Sequence, residues 1–198
     1  MLHILHVNHL GTPKAFLHAI QDIGIGDGVV IEFYHDDLSD ELIAWHKKKY
    51  PWHHADTIRS YTQKRLRKHG NNGKREDFAY MNRAAKYFGY DQFVEHRAQP
   101  NKLICLWDPS LSGDMLGEHN PCLVLVRFQK DGRFLNISAV YRKRDLLTRM
   151  IGNLAMLAVW LRKEAEHRKL KPGRITDFSM SSQYDEKKLL QHIREERK

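Results

Sequence analysis

Asn120-Pro121-Cys122-Leu123-Val124-Leu125-Val126-Arg127-Phe128-Gln129-Lys130-Asp131-Gly132-Arg133-Phe134-Leu135-Asn136-Ile137-Ser138-Ala139-Val140-Tyr141-Arg142-Lys143-Arg144-Asp145 is the stretch on which the fold turns. Leu123 to Phe128 is a short apolar run of the kind that forms a buried strand, and Phe134 to Tyr141 alternates apolar and polar residues at period two. Lys130-Asp131-Gly132 between them reads as a hairpin turn. Folding the two strands together brings Cys122, at the start of one, beside Arg142, at the end of the other. A cationic neighbour favours thiolate over thiol, which is what a nucleophilic cysteine requires. The plainer alternative for Cys122 is a small apolar residue opening a strand.

Reading toward the C-terminus, Leu146, Leu147, Met150, Ile151, Leu154, Leu157, Ala158 and Leu161 follow the helical period, which predicts a long core-facing helix from Asp145. Lys171-Pro172-Gly173 is the expected stop, Arg174 to Ser181 a strand, and Asp185 to Arg197 an amphipathic final helix presenting Leu189, Leu190 and Ile193. Reading toward the N-terminus, Thr12-Pro13 opens a helix carrying Phe16, Leu17, Ile20 and Ile23, and Gly24-x-Gly26-x-Gly28 ends it in a turn before the strand Val29 to Tyr34. This glycine cluster follows a helix and precedes a strand, the reverse of a phosphate-binding loop. A helix from Ser39 or Asp40 runs to Pro51, and helices are expected over 56–69, 78–88 and 90–97. Leu103 to Trp107 is a short strand, and Ser110 to Asn120 a loop. Strands and helices mixed in this way predict a single α/β (α+β) domain over residues 1–198: a mixed sheet flanked by helices, with a long central helix.

The 198 residues are 41% hydrophobic, which excludes overall disorder, and no window approaches the ~20 apolar residues of a membrane helix. Cys105 and Cys122 make no disulfide framework, so a reduced cytoplasmic setting is the expectation. Lys plus Arg exceed Asp plus Glu to give a net charge of +9, a field that attracts nucleic acid, acidic lipid or phosphorylated small molecules. Basic residues interleaved with aromatics from Tyr61 to Tyr90 suit contact with a nucleic acid. His3, His6 and His9 lie on a strand-like segment, where a spacing of three alternates faces and disfavours a shared metal.

Taken together, Asn120-Pro121-Cys122-Leu123, the glycine hairpin, Tyr141-Arg142-Lys143-Arg144-Asp145, Asn153 eight residues after that aspartate, and Leu170-Lys171-Pro172-Gly173 resemble the thymidylate synthase and pyrimidine nucleotide hydroxymethylase superfamily. The resemblance extends from Asp91 to Tyr184, about half the chain, with fainter echoes at Tyr61, Arg65, Leu66, Gly70 and Leu106-Trp107-Asp108-Pro109. It implies a thymidylate-synthase-like domain, a homodimer, and a cytoplasmic enzyme of nucleotide biosynthesis acting on a pyrimidine nucleoside monophosphate. The Cys122 thiolate would add to C6 of the ring, and C5 would then accept a one-carbon group from 5,10-methylenetetrahydrofolate. Hydride transfer would yield methyl, as in the conversion of dUMP; water capture would yield hydroxymethyl on UMP, dUMP or CMP.

The resemblance also implies roles. Arg142 would hold the phosphate and keep Cys122 ionised; Asn153 would pair with N3 and O4 of uracil, since a carboxamide offers one donor and one acceptor. Asp145 would contact the pterin, and Glu41 is the candidate glutamate for proton transfer, with a surface carboxylate in a first helical turn as the plain alternative. Lys143 stands where the family usually has serine. Ser182-Gln183-Tyr184 replaces its sugar-gripping His-x-Tyr, which puts Gln183 and Tyr184 at the ribose. Asn101-Lys102 replaces a pair of arginines lent to the partner's phosphate site, leaving Lys102 as the one cation. No tail of the kind that closes over folate in the long enzymes is expected after Lys198. A noncatalytic, nucleic-acid-binding descendant of the fold is the reading from another class.

Overall fold

A computed structural model describes residues 1–51, 103–107 and 122–197. The helices expected over 56–69, 78–88 and 90–97, the loop 110–120, the basic and aromatic segment from Tyr61 to Tyr90, and Lys102 lie outside the described residues.

The described strands of the main sheet are β1 (Leu2–Leu5), β2 (Gly28–Tyr34), β3 (Leu103–Cys105), β4 (Leu123–Asp131), β5 (Phe134–Tyr141) and β7 (Lys171–Ser179), in the order β1-β2-β7-β5-β4-β3. β1 with β2 and β5 with β7 run parallel, while the β2–β7, β4–β5 and β3–β4 pairs are antiparallel. This is a mixed α/β sheet flanked by helices, as the sequence pattern predicts.

Local chemistry accounts for most boundaries. Thr12 caps α1 (Pro13–Gln21), its hydroxyl accepting the Ala15 N–H; Ser39 caps α2 (Asp40–Lys49) by accepting from Leu42; and Asp185 caps the last helix by accepting from Lys188. The hairpin turn sits one residue later than expected. Asp131 still pairs with Phe134, so the two-residue loop is Gly132-Arg133, and Gly132 takes the left-handed φ of +56° that such a loop requires.

The region after the hairpin departs further from expectation. The long helix α3 (Met150–His167) begins only after a two-residue strand, β6 (Arg144–Asp145), which pairs in parallel with β8 (Ser182–Gln183). Lys171-Pro172-Gly173 does not stop this helix; it is the start of β7. The helix ends through Lys169, at φ 55°, and Leu170, whose N–H returns to the Ala165 carbonyl at 2.8 Å. Gly173 is needed inside the strand because Asn136 packs over it and accepts the Arg174 N–H at 2.8 Å. The final helix, α4, spans Glu186–Glu195.

Inward residues of β2 (Val29, Ile31, Phe33), β5 (Leu135, Ile137, Ala139, Tyr141) and β7 (Ile175) build one side of the core. α3 packs on β5 and β7 from the other side. Its nine residues Met150 to Ala158 are all buried, more than one apolar stripe can explain, so the helix is covered on several sides. Phe128 meets Trp160 edge to face at 5.3 Å. Among the described residues, no helix is long and apolar enough to cross a membrane.

Candidate active site

The site begins at the end of the β4–β5 hairpin. Leu123 pairs with Tyr141, and one residue beyond, the Arg142 N–H donates to the Cys122 carbonyl at 2.8 Å. The two residues therefore face each other across the closing bond of a β pair, and both are exposed.

After Tyr141 the chain leaves β5, turns through exposed Arg142 and Lys143, and pairs again at β6. Arg144 lies beside Ser182 and Asp145 beside Gln183; the Arg144 N–H donates to Ser181 and the Leu146 N–H to Gln183, each at 2.9 Å. Asp145 is half-buried, and its Oδ1 accepts the Thr148 N–H at 2.8 Å, which fixes the turn before α3. Asn153 sits in the first turn of α3 with 5% of its surface exposed. Hairpin closure and the β6–β8 pairing thus gather Cys122, Arg142, Lys143, Asp145 and Gln183 onto one connected stretch of backbone, and α3 carries Asn153 directly after it.

The remaining candidates are placed otherwise. Tyr184 is half-buried and donates its hydroxyl to the Ile23 carbonyl at 2.7 Å; burial pushes its pKa up, with the carboxylates of Glu186 and Asp27 adding to the shift. That bond ties β8 to the end of α1. Glu41 is exposed in the first turn of α2, and among the described residues no hydrogen bond or ion pair joins it to the 142–145 segment. α2 reaches this region through His46, whose Nε2 lies 3.1 Å from the Thr148 carbonyl oxygen; Tyr50, just past the helix, meets His192 of α4 at 2.8 Å. Burial raises the Tyr50 hydroxyl, and the charge of Asp145 raises it further. His3 meets Asp27 at 2.7 Å, and His9 Nδ1 accepts the His6 N–H at 3.2 Å. The N-terminal ammonium and His3 together hold Asp27 down at about 2. Among the described residues, no group of three histidines, cysteines or carboxylates is placed to hold a metal ion.

A buried ion pair lies beneath the 142–145 segment. Arg144 donates from Nη1 and Nη2 to the two oxygens of Asp177 at 2.6 and 2.8 Å, both side chains are about 1% exposed, and the guanidinium lies 3.6 Å over the Tyr141 ring. Burial pushes the Asp177 carboxyl up from the usual carboxylate range, against the opposing pull of Arg144. The available signal was parity: in Ile175-Thr176-Asp177-Phe178-Ser179 a charged residue occupies an inward position.

No family model matches the sequence, and no curated protein does. Among solved structures, the crystal structure of thymidylate synthase from T4 phage is similar over 58% of this chain and 42% of that chain, with a TM-score of 0.49 and 18% identity. The chain therefore spans less than half the length of that protein.

Proposed function

We propose that this chain is a thymidylate-synthase-like transferase that activates C5 of a uridine nucleotide, dUMP in the first instance, by adding the Cys122 thiolate to C6. The observation that carries the reading is the 2.8 Å closing bond of the hairpin, which sets a thiol and a guanidinium on facing, exposed residues.

In this mechanism the sulfur of Cys122 forms a bond to C6, and the C5–C6 electron pair moves toward C5 and O4, leaving C5 nucleophilic. Arg142 and Lys143 receive the phosphate, where the planar guanidinium engages two oxygens and the lysine adds a point charge. Asn153 presents its carboxamide to N3–H and O4, and so stabilises the charge that develops on O4. Glu41 is assigned the proton relay at O4 and C5. Once C5 had bonded to the one-carbon unit, loss of the C5 proton would accompany departure of the carrier nitrogen with the C–N electron pair, hydride or water would add to the new carbon, and expulsion of the thiolate from C6 would restore the ring and return Cys122. Methylenetetrahydrofolate, when bound, supplies the methylene carbon and, for a methyl product, the hydride. Asp145 would hold it, and a half-buried carboxylate already oriented by the Thr148 amide suits the N–H donors of a pterin.

Release of tritium from 5-tritiated UMP, dUMP, CMP and dCMP, with and without methylenetetrahydrofolate, tests the reading. The expected result is release from a uridine nucleotide, reduced on the order of 10³-fold or more in Cys122→Ala. Equal release by the two proteins overturns it. Mass analysis of the product separates methyl from hydroxymethyl transfer. Absence of release, together with binding to single-stranded DNA that falls steeply with salt, supports the noncatalytic reading instead.

A further inference from the structure

Between β5 and α3 the chain is held by short pairings and turn contacts rather than by one long strand. Among the described residues, the two-residue strand β6 pairs with the equally short β8, and the Arg142 N–H donates to the Cys122 carbonyl. The segment nevertheless carries Arg142, Lys143 and Asp145, whose spacing matters only if their register is fixed. Arg144 is the residue among them whose side chain is fully buried. Its anchor, Asp177, lies in the interior strand β7 between Ile31 of β2 and Ala139 of β5.

We infer that Arg144 and Asp177 are the positioning pair of the proposed nucleotide site, locking the Arg142–Asp145 segment into the one register that sets Arg142 opposite Cys122. The inference rests on the functional reading above for its substrate and on the geometry for the lock. A slip of one residue in one direction would bring Asp145 to the Asp177 position, carboxylate against carboxylate. A slip in the other direction would bring Lys143, a single ammonium that cannot make the two-pronged contact or lie flat on Tyr141. Only the observed register satisfies both oxygens of Asp177, and buried polar pairs are best attested in this register-selecting role. Arg144 and Asp177 touch no substrate; they act through Arg142.

The test uses the full chain with two variants. Arg144→Met/Asp177→Leu removes both charges without stranding either, and Arg144→Lys keeps the charge but not the fork. Alkylation of Cys122 by iodoacetamide is followed by mass spectrometry, with exposed Cys105 in the same molecule as internal control, and kcat and KM are measured for dUMP. The expected result in the double variant is a Cys122 to Cys105 rate ratio several-fold below the parent's and a KM raised about tenfold, with kcat changed far less. Arg144→Lys should fall between parent and double variant, and it carries the test alone if the double variant does not fold. Parental ratio and KM in folded variants overturn the positioning role. If the parent releases no tritium yet the alkylation ratio still drops, the functional reading fails and the positioning role stands.

Discussion

Two ion pairs of nearly equal length sit in opposite surroundings. Arg144 and Asp177 meet at 2.6 Å with each side chain 1% exposed, whereas Lys49 and Glu195, joining α2 to α4, meet at 2.7 Å with 27% and 38% exposed. Length does not distinguish them, but solvent does. Water competes for both partners of the outer pair and screens their attraction, so that pair follows the packing of the helices more than it directs it. The inner pair has lost its hydration on both sides, and the two-pronged contact between the charges replaces much of it. The same contrast separates two neighbouring arginines: Arg142 is exposed, while Arg144, two residues on, is buried against Asp177.

The largest effect expected from this contrast is on stability. Asp177→Leu leaves the Arg144 guanidinium buried without its counter-ion and should cost about 3–5 kcal/mol, whereas Arg144→Met/Asp177→Leu should cost clearly less although it removes more polar atoms. Urea denaturation measures both. A single variant as stable as the double would mean that Arg144 finds other solvation and that the inner pair is not what burial makes it.

The elements that followed from sequence are those whose determinants are local. The strand Phe134–Tyr141 emerges with its expected limits because period-two alternation and a glycine turn suffice, and Thr12, Ser39 and Asp185 act as the caps their positions predict. Pro172-Gly173 misled because a side chain 36 or 37 residues earlier, Asn136, packs into the glycine's place and makes a strand of what resembles a helix stop. In the candidate site, the adjacency of Cys122 and Arg142 follows from hairpin arithmetic and so was legible. The Arg144–Asp177 pair spans 33 residues between two elements that the helical period from Asp145 had merged or shifted, and charge clusters on a sequence do not announce which member will be buried.

Asn153 sharpens the comparison from a third position. It is as enclosed as the inner pair, at 5% exposure, but belongs to the proposed site. If its burial serves ligand recognition, Asn153→Asp should move preference from uracil toward cytosine nucleotides by about a hundredfold, because the acceptor and donor pattern facing the ring edge is altered. Tritium release from paired uridine and cytidine monophosphates reads the shift. A variant that loses stability while keeping its preference would assign Asn153 to the fold alongside Asp177.

The smallest effect belongs to the outer pair and takes the form of a pH dependence. Lys49, Gln191 and His192 all contact the Glu195 carboxylate, and with Lys49 foremost they lower it from 4.5 to about 2. A carboxyl lowered by folding stabilises the native state at pH values above its unfolded pKa, and that contribution disappears as pH falls through the folded value. The stability difference between the parent and Glu195→Gln should therefore be constant above about pH 4.5 and shrink between there and about pH 2. Asp27 titrates over a similar window in both proteins and cancels from the difference. Raising the salt concentration should shrink the same difference at neutral pH while leaving the cost of Asp177→Leu nearly unchanged, since ions screen a solvated pair and do not enter a sealed one. Equal salt sensitivity at the two positions would show that the inner pair is reached by solvent after all.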